Sequence, residues 1–419
     1  MNKAPPLLSI IIPTRNRLIC AKSAILSALD IPSPDVEVVV EDNSDSRELG
    51  SWILDNVTDP RIVYHYSAER RSMTENYNLA VTHAGGEYVC LIGDDDGVSP
   101  EIIAATTWAQ ENEYEVIVPI NSVHFIWPDL VMKQRGAMAP GELRIGPFSG
   151  RAVAVDPETE LRKCIADAGQ EFHRLPKAYY GIVRSEVLDR VRSKAGSYFP
   201  GVSPDLAAAV ALANVARKVC VLDYPLFVPG ASLRSNAGLG GLGRHIGTLA
   251  EQNHLGPDCE KKWSTIIPPF FSVETIWAEA AVEALQAMGR TDLLPIFNLP
   301  KLYAWLFMFY PRFARLSVGT MFSALRQTHY GLCRGLRDLV KELWLLVCLR
   351  AHYFKKRFQR TNKESQSMQR FNGICDIKAA VNMMNTELRR RGVSFATKVE
   401  MTGATKTPGT GGRRASMRE

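Results

Sequence analysis

The 419-residue chain lacks several features that assign proteins to particular classes. It has no uninterrupted apolar run of the ~18 residues that a spanning helix needs, so we expect no classical membrane span. Its eight cysteines form no CxxC pair and no metal-ligand spacing, which predicts reduced thiols rather than a disulfide framework or a zinc site. No internal repeat is present, which excludes a solenoid. The start, Met1 to Pro6, has no signal-peptide character, so we expect a cytoplasmic protein.

Acidic residues are scarce at the C-terminal end. From Arg312 to Glu419 there are 7 Asp and Glu against 22 Lys and Arg, a net charge of +15. The whole chain carries +6, so residues 1–311 carry −9. No recognised binding motif accompanies the basic charge, so we expect no nucleic-acid partner. Residues from about Lys398 onward are rich in Gly, Thr, Lys and Arg, and this composition predicts a disordered tail.

Two apolar stretches lie in or beside this basic region, Leu302–Tyr310 and Leu343–Leu349. Basic residues beside aromatic and aliphatic side chains are typical of a helix that lies on anionic lipid. The sequence therefore allows peripheral contact with an anionic membrane at the inner face of the cell. It equally allows helices that pack on the rest of the protein and expose a solvated basic face.

The most informative feature that is present is the run Gly93-Asp94-Asp95-Asp96-Gly97. It follows Glu87–Ile92, an apolar segment that predicts a buried strand of a parallel sheet. Three neighbouring carboxylates repel one another and are costly to hold together without a counter-cation. Mg²⁺ and Mn²⁺ prefer one or two carboxylates together with phosphate oxygens. The run therefore indicates a metal that bridges the protein to a phosphorylated ligand, with a solvated turn as the alternative.

The segments before this run alternate between strand and helix patterns, which predicts a doubly wound sheet with right-handed crossovers. Ligands of such sheets bind beyond the carboxyl ends of the strands. The polar loops at Thr14-Arg15 and Glu41-Asp42 should therefore lie at the same edge as the aspartates. The predicted elements are strands at 8–12, 36–40, 61–66 and 87–92, and helices at 18–29, 48–56 and 73–84.

Taken together, these residues resemble family 2 glycosyltransferases of the type-A nucleotide-sugar fold. The resemblance is strong over residues 5 to about 105, weaker to about 250 and absent beyond. Pro100 also falls where the family often has a proline. The matching pieces are Ser9-Ile10-Ile11-Ile12-Pro13-Thr14-Arg15-Asn16, Val40-Glu41-Asp42-Asn43-Ser44 and Gly86-Glu87-Tyr88-Val89 leading to Gly93-Asp94-Asp95-Asp96.

The resemblance implies a role for each matching residue. Pro13, Thr14 and Arg15 would line the nucleotide pocket, and Asp42 would accept the imide N–H of the base. Asp94 would lie near the ribose. Asp95 would be the main ligand of Mg²⁺ or Mn²⁺, with Asp96 as a second ligand or a supporting residue. The family often has Asp where Gly93 stands, which leaves the division of roles among the aspartates open. For Asp42 the alternative is a helix cap or turn former.

A candidate general base lies further along the chain. Asp205 begins a predicted apolar helix over 206–216, about 110 residues after Asp95. Enzymes similar to this one place a carboxylate about a hundred residues after the acidic motif, where it takes the proton of the acceptor hydroxyl. Glu171 is the second candidate. The alternative for Asp205 is a first-turn carboxylate that interacts with the helix dipole.

A glycine-rich segment, Pro229 to His245, lacks apolar periodicity and carries Arg234 and His245. Backbone N–H groups and cations of this kind suit a diphosphate, and glycines permit loop closure over a donor. Arg71 is a further candidate for diphosphate contact. A flexible linker to the C-terminal helices is the alternative for the segment, and a solvated surface is the alternative for Arg71.

The prediction for fold is an α/β protein with a doubly wound, mostly parallel sheet and a helical C-terminal appendage. We expect a catalytic domain at 1–250, with a nucleotide-sugar half to about 120 and an acceptor half from 121. A helical basic region should follow at 251–397, and the disordered tail at 398–419.

The predicted function is metal-dependent, inverting transfer of a sugar from a nucleoside-diphosphate donor to a glycan or lipid-linked acceptor. Synthesis of a bacterial surface polysaccharide or glycolipid would fit. The alternatives are a sugar-phosphate nucleotidyltransferase, although Pro13-Thr14-Arg15-Asn16 lacks the glycine-rich loop that such enzymes need, and a non-catalytic carbohydrate-binding or assembly module.

Overall fold

The computed structural model describes residues 5–120, 122–134, 136–252, 254–328, 330–359 and 368–401. The strands are β1 (Leu8–Thr14), β2 (Val36–Asp42), β3 (Ile62–Tyr66), β4 (Tyr88–Leu91), β5 (Gly97–Val98), β6 (Val116–Pro119), β7 (Val123–Ile126), β8 (Leu143–Ile145), β9 (Arg151–Val155), β10 (Ile182–Arg184), β11 (Val219–Leu222), β12 (Phe227–Val228), β13 (Gly230–Ala231), β14 (Gln369–Phe371) and β15 (Glu400–Met401). The α-helices are α1 (Leu18–Leu29), α2 (Glu48–Asn56), α3 (Met73–Thr82), α4 (Ile102–Glu111), α5 (Pro157–Ala166), α6 (Ser185–Ala195), α7 (Pro204–Ala213), α8 (Asn236–Gly241), α9 (Cys259–Lys262), α10 (Val273–Ala287), α11 (Leu299–Phe309), α12 (Ala314–Gln327), α13 (Leu332–Gln359), α14 (Ile377–Arg390) and α15 (Phe395–Lys398).

A nine-stranded sheet, in the order β15-β9-β11-β6-β10-β4-β1-β2-β3, forms the centre of the protein. Strands β3, β2, β1 and β4 pair in parallel, and β10 runs antiparallel between β4 and β6. Strand β11 is parallel to β6, while β9 is antiparallel to β11. The prediction of a doubly wound, mostly parallel α/β sheet is confirmed.

Both faces of the sheet are covered, as a parallel sheet requires. Successive side chains of a strand point to opposite faces, so Ile10 and Ile12 of β1 enter one core while Ile11 enters the other. The first core contains α1, and the second contains residues of α3, α6 and α7. This two-sided burial explains why the sequence of these strands is continuously apolar rather than alternating.

The predicted elements before the acidic run all form, with small differences at their ends. Helices α1 and α2 have the predicted bounds. Strand β1 continues through Pro13 to Thr14, although Pro13 was expected to stop it. Strand β2 likewise extends to Asp42, so Thr14 and Asp42 are register partners at the ends of two neighbouring strands. Later in the chain, α7 begins at Pro204 and ends at Ala213 rather than spanning 206–216.

The C-terminal segment from 368 to 401 returns to the N-terminal α/β domain, which corrects the predicted division of the chain. Strand β14 pairs with β8, and β15 pairs with β9 at the edge of the large sheet. Helix α14 buries five apolar side chains in the same core as α1, namely Ile377, Ala380, Val381, Met384 and Leu388. Residues 368–397 therefore complete the core of the α/β domain rather than belonging to a separate helical region. The prediction of disorder is wrong for residues 398–401, and its remainder, 402–419, lies outside the described residues.

Helices α10 to α13 form a second layer with α5 and α7 around their own apolar core. Most of the apolar stretch Leu302–Tyr310 is helix α11, and Leu302, Tyr303 and Leu306 are fully buried in this core. For this stretch the interfacial-helix interpretation is wrong, and packing on the rest of the protein is what occurs. The second stretch lies within α13 and is largely exposed.

Candidate active site

The carboxyl ends of β1 and β2 open onto a recess of about 220 Å³. Asn16 locks the two loops that follow these strands, because its side chain exchanges hydrogen bonds with Asp45 at 2.8 and 2.9 Å. Its backbone lies in the left-handed region (φ 55°), which asparagine tolerates better than most residues. The recess is lined by Thr14, Asn16, Leu18, Ser44, Ser46, Glu48 and Leu49. Its position is the one at which open α/β sheets bind ligands.

The acidic run follows β4 at this edge, and all three of its aspartates are buried. The Thr14 hydroxyl donates to Asp94 Oδ2 at 2.6 Å, which joins the end of β1 to the acidic run. Thr14 therefore lies at the same edge of the sheet as the acidic run.

Arg17, at the start of α1, is the counter-cation of the acidic run. Its guanidinium forms ion pairs with Asp94 and with Asp95, the latter at 2.7 Å, and donates to the Ser232 hydroxyl at 2.5 Å. Burial by itself would lower the pKa of Arg17, but the charges of Asp94 and Asp95 outweigh it, so the pKa is raised. Arg17 therefore stays positively charged and offsets the repulsion within the acidic run.

Asp96 has a different environment from its two neighbours. Its Oδ2 accepts from the Tyr179 hydroxyl at 2.6 Å and from the Gly93 N–H at 2.8 Å, and its Oδ1 accepts from the Gly230 N–H at 2.7 Å. A Cβ at Gly93 would lie 2.7 Å from both Asp96 Oδ2 and the Tyr179 hydroxyl. Glycine at this position, where the resembled family often has aspartate, is thus required by the packing of Asp96.

Asp95 is bonded by the protein mainly through one of its carboxylate oxygens. Its Oδ2 accepts from the Ser232 N–H at 3.1 Å in addition to its pair with Arg17, while its backbone carbonyl accepts from the Trp127 indole at 2.9 Å. Among the described residues no hydrogen bond engages Oδ1. The Asp95 carboxylate is therefore held from one side and keeps an oxygen for a ligand.

Burial raises the pKa of Asp94 and of Asp96. The charge of Arg17 lowers the pKa of Asp94, and the charge of Asp95 raises it. The charge of Asp95 raises the pKa of Asp96 further, and the hydrogen bond from Tyr179 opposes this. A site that raises carboxylate pKa values in this way favours an additional cation.

The residues fit a divalent metal ion whose remaining ligands would be phosphate oxygens of a bound substrate. In the part of the chain that the structure describes, no three His, Cys, Asp or Glu side chains converge to hold a metal unaided. Mg²⁺ and Mn²⁺ commonly bind one or two carboxylates together with substrate phosphate oxygens, so one aspartate of the run is sufficient. Asp95 suits this role better than Asp96, whose two oxygens already accept three hydrogen bonds.

Asp42 is fully buried at the end of β2. Its Oδ1 accepts from the Ser44 N–H at 2.9 Å, and its Oδ2 accepts from the Tyr64 hydroxyl at 2.9 Å. The first of these bonds is the turn-forming contact that was the alternative interpretation of this residue. The role of Asp42 in binding a base stays a prediction.

Arg15 and Arg71 lie at the rim, where both are engaged by the protein. Arg15 pairs with Asp45 at 3.2 Å, and Arg71 pairs with Glu69 at 3.0 Å. Arg71 also lines a second recess of about 390 Å³. The other lining residues are Arg70, Ser72, Glu75, Leu249, Ala250, Gln252, Leu255, Gly256, Pro257, Cys259 and Glu260. Asn43, which sequence reasoning did not single out, holds the backbone at Arg71, because its side-chain oxygen accepts from the Arg71 N–H at 3.0 Å.

The structure brings Asp205 towards the acidic run. Asp205 lies in the first turn of α7, and its charge acts on Tyr77 and Tyr179, both of which also feel the charge of Asp96. Tyr179 is hydrogen-bonded to Asp96 and stacks with Tyr77 at 6.3 Å between ring centres. Burial raises the pKa of Asp205 to about 6, and the positive charge of Lys177 opposes this shift. A carboxylate with this pKa is suited to accept a proton near neutral pH.

The loop that carries Asp205 is held at several points. Asn78 Oδ1 of α3 accepts from the N–H groups of Tyr198 and Phe199 at 2.9 and 3.1 Å. On the other side, Glu283 of α10 accepts from the Val202 N–H at 2.8 Å. The position of Asp205 thus depends on two helices far apart in sequence.

The remaining predicted residues lie apart from this cluster. Glu171 and Arg234 are exposed, and no hydrogen bond of the described residues joins either of them to the acidic run. His245 is buried against Phe271 and stacks with His254 at 5.9 Å, and burial lowers its pKa. The neutral His245 is therefore a packing residue here rather than a cation facing the aspartates.

The glycine-rich segment is not one continuous loop. It contains β13 and the short helix α8, which Ser235 caps by accepting from the Gly238 N–H at 3.0 Å. Its contribution to the site is made by backbone groups, because Gly230 and Ser232 donate to Asp96 and Asp95. A Cβ at Gly230 would collide with the Asp95 carbonyl.

Several residues of the site were missed by sequence reasoning. They come from three segments of the chain, which contribute Arg17, Lys177 with Tyr179, and Ser232. Arg17 was the easiest of these to find, since it lies in the same loop as Thr14 and a buried acidic run requires a counter-charge. Tyr179 and Lys177 carry no local pattern that would have marked them.

Comparison with known proteins agrees with this geometry. The family described as glycosyl transferase family 2 matches residues 9–154, which include the recess, Arg17 and the acidic run. The match spans about a third of the chain. It covers the carboxyl edge of β1, β2 and β4 and ends before the segments that contribute Tyr179 and Asp205.

Two curated relatives are similar over the same part of the chain. The GalNAc(5)-diNAcBac-PP-undecaprenol beta-1,3-glucosyltransferase of Campylobacter jejuni is 33% identical over 94 residues, which are 22% of this chain and 30% of the relative. WcaA of Escherichia coli K12, provisionally assigned as a colanic acid biosynthesis glycosyl transferase, is 36% identical over 99 residues, or 23% of this chain and 36% of the relative. The chain therefore matches about a third of the length of these relatives.

Among solved structures, Staphylococcus aureus TarS 1-349 in complex with UDP-GlcNAc aligns with 80% of this chain and 89% of its own, at 15% identity and a TM-score of 0.49. This similarity is too low to add to what the strand order already shows.

Proposed function

We propose that this protein transfers a sugar from a nucleoside-diphosphate donor to a hydroxyl group of a glycan or lipid-linked acceptor. The observation that carries the proposal is the convergence of Thr14, Asp94 and Asp95 at the carboxyl edge of the segment that matches family 2. The undecaprenol-linked substrate of the Campylobacter relative supports a role in bacterial surface polysaccharide or glycolipid synthesis.

The donor would lie along the ends of β1 and β2. Its nucleoside would occupy the recess beside Thr14 and Ser44, near Asp42, and its diphosphate would extend towards Arg17 and Asp95. Mg²⁺ or Mn²⁺ bound by Asp95 and the diphosphate would offset the negative charge that develops on the leaving group. The Arg17 guanidinium is a permanent positive charge beside the same position and would stabilise the leaving diphosphate as well.

Asp205 would act as the general base. The acceptor oxygen attacks the anomeric carbon and its proton passes to the Asp205 carboxylate, while the bond from the anomeric carbon to the diphosphate oxygen breaks and the nucleoside diphosphate leaves. Attack from the face opposite the leaving group inverts the anomeric centre, as the family resemblance implies. The raised pKa of Asp205 suits proton uptake near neutral pH.

The donor site is tested by thermal shift with a panel of nucleoside diphosphates, with and without Mn²⁺. A ligand that binds the native state raises the melting temperature. We expect a Mn²⁺-dependent shift for one nucleotide, its loss in Asp95→Ala and its retention in the control Asp35→Ala, which alters an exposed aspartate. Failure of every nucleotide to shift the wild type would contradict the proposal.

The reaction is tested by its products. Transfer releases a nucleoside diphosphate and lengthens an undecaprenyl-diphosphate-linked glycan, whereas a sugar-phosphate nucleotidyltransferase exchanges pyrophosphate. Mass spectrometry of the glycan and an assay for pyrophosphate distinguish the two. A protein that binds nucleotide but forms neither product would be the non-catalytic module.

A further inference from the structure

Helix α13 exposes a line of large apolar side chains. Leu336, Val340, Trp344 and Val347 are 37%, 66%, 68% and 50% exposed. Their spacing of four, four and three residues places them on one face of the helix, and we call this face the α13 stripe. Single exposed apolar residues are ordinary, but a continuous row of them marks an interaction surface.

Other residues of α13 attach the helix to the rest of the protein. Leu339 and Leu346 are buried in the core formed with α11, and Leu343 packs against that core. The stripe is therefore not a frayed or misplaced core face, because α13 already has a separate face that packs on the protein.

Basic residues accompany the stripe. From Arg312 to Arg350 the chain has seven Lys and Arg and two Asp and Glu, a net charge of +5. Both acidic residues are engaged, since Asp338 pairs with Arg337 at 3.0 Å and Glu342 accepts from Asn298 at 3.3 Å. Lys341 is exposed on the same helix. The partner of this surface should therefore be anionic as well as apolar.

We propose that the α13 stripe, with the exposed basic residues Arg337 and Lys341 beside it, binds the surface of an anionic lipid bilayer. An amphipathic helix with Trp and aliphatic residues on one side and Lys or Arg beside them lies in the lipid interface, with the apolar side chains below the headgroups. None of the helices in the described ranges is long and apolar enough to cross a bilayer, so the contact is peripheral. A second copy of the chain fits less well, because a self-complementary contact would bring two strongly basic surfaces together.

This inference rests on the proposed function, and it deepens it. A lipid-linked acceptor is confined to the membrane surface, so a transferase that docks there meets its acceptor by diffusion in two dimensions. The interfacial interpretation of the apolar stretch, which is wrong for α11, thus applies to α13.

The test is co-sedimentation of the full-length protein with vesicles of phosphatidylcholine alone or mixed with phosphatidylglycerol. We expect binding to the anionic vesicles at low salt and partial release at high salt. The variant Val340→Ser/Trp344→Ser should bind at least ~10-fold more weakly. The control Leu54→Ser, which alters a side chain that is 86% exposed on α2, should bind as the wild type does.

A second variant tests the charge without altering the apolar face. Arg337→Gln/Lys341→Gln should weaken binding by roughly fivefold for each charge removed. The control pair Lys133→Gln/Lys194→Gln removes two exposed charges elsewhere and should have no effect.

The outcomes separate this inference from the proposed function. Nucleotide binding, measured on the same samples by thermal shift, reports on the donor site alone. Wild-type protein that binds nucleotide but ignores anionic vesicles would overturn the membrane inference and leave the transferase proposal intact. Light scattering that shows a wild-type dimer, and a monomer for Val340→Ser/Trp344→Ser, with no vesicle binding by the wild type, would assign the stripe to self-association instead.

Discussion

The donor edge of the sheet and the C-terminal segment 368–401 share one core, but the chain forms them in different ways. The donor edge comes from consecutive units, in which β1, α1, β2, α2, β3, α3 and β4 follow one another within residues 8–91. The C-terminal segment crosses more than 200 residues of sequence to add β14, α14 and β15 to the same domain.

The N-terminal part of this domain is predictable from local sequence patterns, yet its core is completed by a segment that is distant in sequence. Helix α14 packs on α1 and against Gly97, the residue that ends the acidic run. A Cβ at Gly97 would collide with Val381, so the acidic run and the C-terminal helix have a shared packing constraint. The proposed donor site is therefore supported by residues that lie outside the segment matching family 2.

The largest expected effect comes from deleting residues 368–419. The deletion removes five buried apolar residues of α14 and the pairing of β14 and β15. Each large buried side chain contributes about 1.5–3 kcal/mol, so the loss is comparable with a whole domain's stability of about 5–15 kcal/mol. Circular dichroism should show loss of cooperative unfolding, whereas deletion of 402–419 alone should not. A truncated protein that melts as the full chain does would mean that the C-terminal segment only decorates the core.

Asp205→Asn should lower turnover by about 10²- to 10⁴-fold while nucleotide binding persists, because the amide cannot accept the acceptor proton. In the wild type, turnover should fall as the pH drops through about 6, where Asp205 becomes protonated. Lys177 favours the ionised carboxylate, and Tyr77 and Tyr179 carry no charge at this pH.

The measurement is the pH profile of kcat, and the acid limb should be absent in Asp205→Asn. The control Glu171→Gln should keep both the rate and the limb, since Glu171 is exposed and apart from the site. An unchanged limb in Asp205→Asn would assign the proton to another group.

Arg17→Met should destabilise the metal-free protein by about 3–5 kcal/mol, because it leaves buried carboxylates without their counter-charge. Chemical unfolding measures this loss. Mn²⁺ should restore part of it and should stabilise the variant more than it stabilises the wild type. Arg15→Met is the matched control, and it should cost no more than about 1 kcal/mol, since its partner Asp45 is exposed. Equal losses for the two variants would show that Arg17 is an ordinary rim residue.

The smallest expected effect is that of Asn78→Ala, which leaves the N–H groups of Tyr198 and Phe199 without their acceptor. We expect a loss of about 1–3 kcal/mol in unfolding free energy. Turnover should fall more than nucleotide affinity, because the loop that carries Asp205 is displaced. Asn56→Ala removes a comparable bond to a helix carbonyl and is the control. A purely structural role for Asn78 would lower stability and leave kcat unchanged.

The sheet edge that carries the proposed donor site was predictable from local sequence signals. Continuous apolar strands, helices with clear periodicity and short loops are local signals, and they gave the bounds of α1 and α2 and the positions of Thr14, Asp42 and the acidic run. The same locality brings these residues together, since parallel strands end at one edge of a sheet.

The remaining residues of the site, and the extent of the domain, depend on tertiary packing and could not be predicted from local patterns. The hydrogen bond from Tyr179 to Asp96, the ion pairs of Arg17 and the placement of α14 on α1 join residues by packing, not by any repeating pattern. The sequence also did not predict which apolar stretch is exposed. The stretches of α11 and α13 are similar in sequence character and differ in what packs against them. Burial is a property of the assembled core, so a single stretch of sequence cannot specify which of its faces will meet another element.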